Sequence, residues 1–163
     1  MIAPDQFVGS STGLRDAVRA AYSAIAADPA AKHPFPVRRQ FAETVGYPPD
    51  LLASLPAAAV DAFAGVSNVS VFATMAEGGT VLDLGCGAGM DSLIAARQVG
   101  PRGRVIGVDF SESMIDRARR AAAKSNTTNV EFWLAGAETL PLESASVDTA
   151  LINGIFNLNP NRK

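Results

Sequence analysis

Residues 81–89 read VLDLGCGAG, a short apolar run that leads directly into glycines at positions 85, 87 and 89. An apolar run closed by glycines predicts a buried strand that turns sharply into a helix starting near Met90. Because glycine has no side chain, the backbone of this loop can lie close to a ligand. The free N–H groups at the start of the helix favour an anionic group there, such as a carboxylate.

Two acidic residues accompany this loop. Asp83 precedes the first glycine by two positions, and we expect it to lie under the loop, where it orients the loop amides and accepts a hydrogen bond from a ligand amino group. Asp109 lies 24 residues after Gly85, near the spacing of a ribose-binding acid in nucleotide folds. Since Met90 replaces the third glycine of the pyrophosphate-binding pattern, the sequence favours a ligand with an amino-acid part and an adenosine part over a dinucleotide.

The sequence from Thr80 onward alternates apolar runs with helical patterns. Strands are predicted at 80–84, 104–108, 130–134 and 147–152, with helices at 90–99 and from Glu112 to about Lys124. Ser111 is expected to cap the second helix, and Met114, Ala118 and Ala121 are expected to form its buried stripe. This alternation predicts an α/β fold with a parallel sheet and right-handed crossovers, in the strand order 3-2-1-4.

Residues 1–79 have a different texture, rich in alanine and proline, and are predicted to form a helical N-terminal extension. One amphipathic helix is expected over 14–27, a short helix is expected to begin at 51, and another is expected over 57–64. We therefore divide the chain into this extension, 1–79, and the N-terminal part of an α/β domain, 80–163.

The glycine loop and the stretches after it resemble a known family. The loop is followed by GRVIGVDFSESMIDRAR at 103–119 and by NVEFWLAGAETLPLESASVDTALINGIFNL at 129–158. Together these resemble the cofactor motifs of Rossmann-like class I S-adenosylmethionine-dependent methyltransferases. Three phrases are typical of the bacterial arsenite methyltransferase branch: VGYPPDLLASLP at 45–56, VGPRGRVIGVD at 99–109 and INGIFNLNP at 152–160.

The resemblance implies a role for each matching residue in binding S-adenosylmethionine. The glycine loop, with Cys86 buried in it as a small space-filling residue, would lie at the methionine end, and Asp109 would hold the ribose. Phe110 and Met114 would pack near the adenine, and Asn153 would sit near the methyl group. The candidate cofactor-binding residues are Asp83, Gly85, Cys86, Gly87, Gly89, Asp109, Phe110, Met114, Ala137, Glu138 and Asn153. No residue is singled out as a catalytic base, and no metal site is expected.

The function that the resemblance implies is methyl transfer from S-adenosylmethionine to an unidentified small acceptor. Arsenite methyltransferases bind trivalent arsenic through several cysteines, whereas Cys86 is the single cysteine of this chain and lies in the cofactor loop. One alternative is a cofactor-binding or interaction module without turnover. Another, a nucleotide-dependent oxidoreductase, is disfavoured by Met90 in the glycine pattern.

Composition narrows the classes of partner. The 163 residues are 48% hydrophobic, which suits a packed core, and the net charge of −2 offers no cationic excess for phosphate neutralisation, so we expect no nucleic-acid partner. The sequence shows neither a signal peptide at its start nor an apolar run long enough for a membrane helix, so we expect a cytoplasmic protein without a membrane partner.

The last predicted strand raises a question about the sheet edge. The family's sheet has seven strands, whereas the residues after Thr80 leave room for four, so this chain is expected to be a fragment or to be completed by another chain. The strand at 147–152 would then lie outermost, with unpaired backbone groups and apolar side chains. Self-association through this strand, or its cover by the N-terminal helices, are the two outcomes left open.

Overall fold

The computed structural model describes residues 11–137 and 139–154, and these form an α/β fold around a four-stranded sheet. All three strand pairings are parallel, and the strand order is β3-β2-β1-β4, so the predicted fold class and order are confirmed. The strands are β1 (Thr80–Leu84), β2 (Arg104–Asp109), β3 (Val130–Leu134) and β4 (Thr149–Ile152). The helices are α1 (Ser11–Ala27), α2 (Arg38–Thr44), α3 (Pro49–Ala53), α4 (Ala57–Val60), α5 (Val69–Phe72), α6 (Met90–Val99) and α7 (Glu112–Lys124).

The two central strands are buried on both faces, as their near-continuous apolar runs predict. On one face Val81 and Val105 pack against α6, together with Leu151 of β4. On the other face Leu82 and Ile106 pack against the segment after β3. Because side chains alternate along a strand, Asp83 shares the face on which α6 lies.

Helices α6 and α7 follow the sequence prediction closely, with one correction. The stripe formed by Met114, Ala118 and Ala121 on α7 is fully buried. Ser111 occupies the N-cap position of α7, but its side chain makes no capping hydrogen bond. Its hydroxyl pairs instead with Ser23 of α1 and with Ser113, so the predicted side-chain cap is wrong.

The N-terminal helices pack onto α6 and α7 rather than forming a separate core. Leu52, Val60 and Phe63 belong to one buried cluster with Leu93 and Ile115. The Arg117 guanidinium of α7 donates hydrogen bonds at 2.6 Å to the carbonyl oxygens of Ala26 and Ala58. The amino-acid composition and pattern change at residue 79. A domain boundary at this position stays a prediction.

The N-terminal helices differ from the sequence prediction at several points. Helix α1 begins at Ser11 instead of 14, and helix α3 begins at Pro49 instead of 51. The helix expected over 57–64 stops at Val60, after which the chain turns and Phe63 accepts a hydrogen bond from the backbone of Arg38. Helix α2, which begins at Arg38, and helix α5 were not predicted.

Strand β4 begins later than predicted, at Thr149 instead of 147. The side chain of Asp148 accepts a hydrogen bond from the backbone N–H of Thr80 at 2.7 Å, while the backbone N–H of Asp148 donates to the Thr80 carbonyl at 2.9 Å. A carboxylate thus takes the place of a backbone acceptor, and the regular ladder starts one residue further on.

Candidate functional site

A pocket lies at the carboxyl ends of β1, β2 and β4, where ligands bind in open α/β folds. It encloses about 640 Å³ up to its open mouth. Eight candidate residues line it: Asp83, Gly85, Cys86, Gly87, Asp109, Phe110, Met114 and Asn153. Lining residues that the sequence reasoning did not select include Tyr22, Asp91 and the segment from Ala62 to Gly65.

The glycine loop is shaped by hydrogen bonds from its own backbone. The N–H groups of Gly85 and Cys86 both donate to the Val108 carbonyl, at 2.8 and 3.0 Å, and that of Gly87 donates to the Asp109 carboxylate at 2.9 Å. Asp109 therefore orients a loop amide, a role that was expected of Asp83, so that expectation is corrected. Gly87 has φ +53°, and a Cβ built on it would meet no atom within 4 Å, which leaves its surface open to a ligand.

Gly89 has a packing role, and its contact with the cofactor stays a prediction. A Cβ at this position would lie 2.9 Å from Cζ of Phe132 and 3.0 Å from Cβ of Ala118, so the residue packs against the core and does not line the pocket. Its φ of +83° lies in the left-handed region, where L side chains are disfavoured. Because Gly89 has no side chain, the start of α6 can lie close to α7 and β3. This packing is sufficient to explain a glycine at the position.

Asp109 is buried at the end of β2, with part of its hydrogen-bonding capacity still available. Its carboxylate accepts from the backbone N–H groups of Ser111 at 2.8 Å and Gly87 at 2.9 Å. Burial raises the pKa of Asp109, and these N–H donors oppose the rise. Since a carboxylate has about four acceptor positions, about two remain for ligand hydroxyls.

Asp83 is almost fully buried below the pocket, with 1% of its surface exposed. Its Oδ2 accepts a hydrogen bond from the Ser92 hydroxyl at 2.5 Å. Burial, followed by the negative charge of Asp91, raises the pKa of Asp83 to about 8. Burial and the neighbouring negative charge therefore both favour the protonated form of this carboxyl group.

Asp91 is a third buried carboxylate of the pocket, and sequence reasoning missed it. It lies in the first turn of α6 and accepts hydrogen bonds from Tyr47 Oη at 2.5 Å, from the Ser70 hydroxyl and from Asn153 Nδ2 at 2.9 Å. Burial raises the pKa of Asp91, and the three donors oppose the rise. The signal available in the sequence was an acid directly after the glycine loop, in a helical turn where negative charge is stabilised.

Asn153 connects the end of β4 to the N-terminal segment. Its Oδ1 accepts from the backbone N–H groups of Val66 at 2.8 Å and Ser67 at 3.1 Å, and its Nδ2 donates to the Ser67 carbonyl at 2.7 Å and to Asp91. Gly65 lies so close that a Cβ there would be 2.5 Å from Asn153 Nδ2. Asn153 therefore holds one wall of the pocket in place, in addition to lining it.

Helix α1 covers another side of the pocket. Tyr22 lines it, and burial, followed by the charge of Asp109, raises the pKa of Tyr22 to about 12. An adjoining groove runs between α1, α7 and the end of β3, where the Arg19 guanidinium lies 5.7 Å from the centre of the Phe110 ring. Because Phe110 borders both spaces, the groove continues the pocket.

Three further candidates are placed as follows. Ala137 lines neither the pocket nor the adjoining groove, and Glu138 lies outside the described residues. Cys86 is buried, and burial, followed by the charges of Asp83 and Asp109, raises the pKa of its thiol. This agrees with Cys86 as a space-filling residue of the loop.

Metal-binding clusters and membrane-spanning helices are both absent from the described part of the chain. Within it, His, Cys, Asp and Glu side chains do not gather in groups of three or more that could hold a metal ion. Over residues 11–137 and 139–154, no helix is long and apolar enough to cross a membrane.

The parallel sheet of order 3-2-1-4, with its glycine loop and pocket at the carboxyl ends of the strands, defines a Rossmann-like domain of the class I methyltransferase type. Residues 76–163 match the family model described as a methyltransferase domain, and the chain belongs to that family. The resemblance to class I methyltransferases is thereby confirmed.

Individual relatives are also methyltransferases. The chain is 46% identical over 121 residues to the arsenite methyltransferase of Halobacterium salinarum, covering 74% of this chain and 31% of that protein. A demethylmenaquinone methyltransferase of Lactococcus lactis is 40% identical over 73 residues, covering 45% of this chain and 29% of that protein. The chain thus spans about a third of the length of these curated relatives.

One solved structure overlaps most of the described fold. It is the arsenic(III) S-adenosylmethionine methyltransferase CrArsM of Chlamydomonas reinhardtii, with 30% sequence identity and a TM-score of 0.62. The match covers 71% of this chain and 42% of CrArsM. The likeness to the arsenite methyltransferase branch therefore extends from the motifs to the fold.

Proposed function

We propose that this chain binds S-adenosylmethionine in the pocket and contributes that site to the transfer of a methyl group to a small acceptor. One observation carries the proposal: the open backbone surface at Gly87 lines the same pocket as two buried carboxyl groups, Asp83 and Asp109. This set of groups suits a ligand that has both an amino-acid part and a ribose.

The residues present fit this cofactor. A side chain at Gly87 would fill the space that the loop leaves open. Asp109 has acceptor positions left for the two ribose hydroxyls, and Asp83 is placed to accept from the ammonium group of the amino-acid part. Phe110 and Met114 give the pocket an apolar surface, and Phe110 also borders the adjoining groove, where the adenine would lie.

The cofactor brings a sulfonium group that already activates the methyl group, so the protein's task is alignment and exclusion of water. Tyr22 and the segment from Ala62 to Gly65 enclose the pocket opposite the sheet and limit access of water. Asn153, at the end of β4, fixes the wall on the side where we place the methyl group.

The acceptor that we propose is a small molecule held without a cysteine cluster of this chain. Cys86 is the single cysteine among the 163 residues, and its buried thiol has a raised pKa. Trivalent arsenic is a soft ion that prefers thiolate ligands, and one buried thiol does not provide a set of them. The arsenic chemistry named for the relatives therefore does not transfer directly to these residues.

Calorimetry with three ligands tests the binding half of this proposal. We expect S-adenosylmethionine and its demethylated product to bind, and NAD not to bind, because Met90 stands where the pyrophosphate pattern needs glycine. A methyl-release assay with candidate acceptors then tests turnover. Binding without any methyl release would favour a cofactor-binding module, and binding of NAD alone would contradict the proposal.

A further inference from the structure

We propose that Asp91 is a positioning residue that keeps a proton on Asp83 until a ligand binds, and that an ammonium-bearing ligand expels this proton when it binds. The inference rests on the proposed function, because it concerns the amino-acid end of the same site. It assigns a role to the third buried carboxylate, which binding of the amino group and the ribose leaves unexplained.

The hydrogen bonds around the two acids are unequal. Asp91 accepts from three side chains, the hydroxyls of Tyr47 and Ser70 and the amide of Asn153. Asp83 accepts from the hydroxyl of Ser92. Hydrogen bonds donated to a carboxylate favour its charged form, so Asp91 is the better stabilised anion. When two buried carboxyl groups repel each other, the proton stays on the one with fewer donors, which is Asp83.

Three other titratable groups face Asp83, and one of them, Asp109, adds a further negative charge. Asp109 faces it from β2, the Cys86 thiol from the glycine loop and the Tyr47 hydroxyl from the segment after α2. Among the described residues that line the pocket, none is Lys, Arg or His, so no side-chain cation there compensates the charge. Burial and the neighbouring charges, first that of Asp91, raise the pKa of Asp83 to about 8, in agreement with this arrangement.

A ligand ammonium group supplies the missing positive charge. On binding, its N–H donates to the Asp83 carboxyl oxygen, the Asp83 O–H bond breaks heterolytically, and the proton leaves to solvent or buffer. The electron pair stays on Asp83, so ligand and protein form an ion pair and no other reactant is needed. Affinity then increases as the pH rises from 6 toward 8, until the ligand amino group itself loses its proton near its usual pKa of about 8.

Calorimetry at pH 7 in phosphate and in Tris measures the protons released, since these buffers differ in ionisation enthalpy. We expect S-adenosylmethionine to release more than about half a proton per molecule bound. Adenosine, which lacks the amino-acid part, should release close to none. Adenosine serves as the internal comparison because it uses the ribose end alone and needs no protein variant.

The variant Asp91→Asn tests the role of Asp91. It keeps an acceptor for Tyr47 and removes the charge, so the release should fall by at least half and the affinity should lose most of its dependence on pH. The control is Gln98→Ala, which removes a different tie between α6 and α5, the 2.6 Å hydrogen bond to the Ser70 carbonyl, without reaching the pocket. It should keep the proton release of the wild type.

The outcomes separate this inference from the proposed function. If neither S-adenosylmethionine nor its product binds, the proposed function fails, and this inference fails with it. If the wild type binds without proton release, or releases as much with adenosine, the inference alone is wrong. Full release by a folded Asp91→Asn variant would also overturn it, and a uniform loss of affinity at every pH would leave Asp91 a purely structural role.

Discussion

The strand–helix unit, residues 80–154, and the helical segment, residues 11–79, both line one pocket, and they do so by different means. The strand–helix unit presents backbone and carboxylates, such as Gly87 and Asp109. The helical segment presents apolar walls and the Tyr22 ring, and it supplies the hydroxyls of Tyr47 and Ser70 that hold Asp91. One side is thus suited to recognise a ligand, and the other to enclose it and to fix the charges beneath it.

This difference predicts where a substitution acts. Changes to the groups that the strand–helix unit presents to the pocket should alter binding with the fold intact. Changes to the contacts between the two regions should first loosen the pocket wall that Asn153 holds in place. Ligand binding should then weaken as a consequence.

The largest effect is expected for Gly87→Val. The new side chain would occupy ligand space, because nothing lies within 4 Å of its Cβ, and the φ of +53° disfavours a β-branched residue. We expect binding of S-adenosylmethionine to become undetectable by calorimetry while circular dichroism still shows a folded chain. Normal binding by this variant would contradict the loop geometry.

Gly89→Ala is the matched comparison within the same loop. Its Cβ would meet Phe132 at 2.9 Å, and its φ of +83° adds backbone strain, so stability should fall by about 1–3 kcal/mol. Denaturant unfolding should therefore separate the two glycines. If both variants changed stability and binding equally, the assignment of Gly87 to the ligand surface and of Gly89 to core packing would be wrong.

Asp109→Ala should weaken binding of S-adenosylmethionine strongly while the chain stays folded. The substitution removes a charged acceptor for two hydroxyls, worth about 1.5–3 kcal/mol, which corresponds to roughly 10- to 150-fold in the dissociation constant. Asp116→Ala removes a carboxylate from an exposed position of α7 and should leave the constant unchanged. A constant for Asp109→Ala within twofold of the wild type would remove this residue from the site.

Asn153→Ala tests the connection between the two regions. It removes the acceptor for the Val66 and Ser67 N–H groups and a donor to Asp91, so we expect a loss of about 1–3 kcal/mol in stability. Hydrogen exchange at those two amides should become faster. Asn68→Ala, which removes a single 3.0 Å bond to the Gly46 carbonyl, is the control. Unchanged exchange in the Asn153 variant would show that other contacts hold the wall.

The smallest effect concerns the outer edge of β4, where self-association stays a prediction. Leu151 is buried, with 2% of its surface exposed, so a charged residue at this position would disturb the core of the chain. Ala150 is exposed, so a charged residue there acts on the edge itself. If copies of the chain associate through this edge, Ala150→Lys should shift sedimentation toward the monomer, since lysine blunts edge strands. A wild-type chain that sediments as a monomer would contradict the association.

The strand–helix unit was predictable because its elements carry their own boundaries. The bounds of β1, α6 and β3 agree with the sequence prediction, and each is a clear apolar or helical pattern closed by glycines or polar residues. The parallel order followed from the alternation of strands and helices. The loop glycines were all found, but sequence spacing could not show that Gly89 faces Phe132 instead of the pocket.

The helical segment was less predictable because distant contacts shape it. Helix α5 has 4 residues, too few for a periodic pattern, and α2 starts at Arg38 with φ +80°, held by the Phe63 carbonyl and by bonds from its guanidinium to Pro29 and Ala31. Asp91 was visible as an acid, but its donors lie 21 to 62 residues away in sequence. No local pattern could assign them.

The hydrogen bonds of Asn153 also bear on the order in which the molecule folds. They join residues separated by 86 positions, to Ser67, and by 106 positions, to Tyr47. Contacts of such long sequence separation require closure of large loops and form late when a chain folds. We therefore expect helical signal to appear early during refolding and competence to bind a ligand to appear last, when β4 has docked. Because these contacts complete the pocket, ligand binding can be used to measure the fraction of chains that have folded completely.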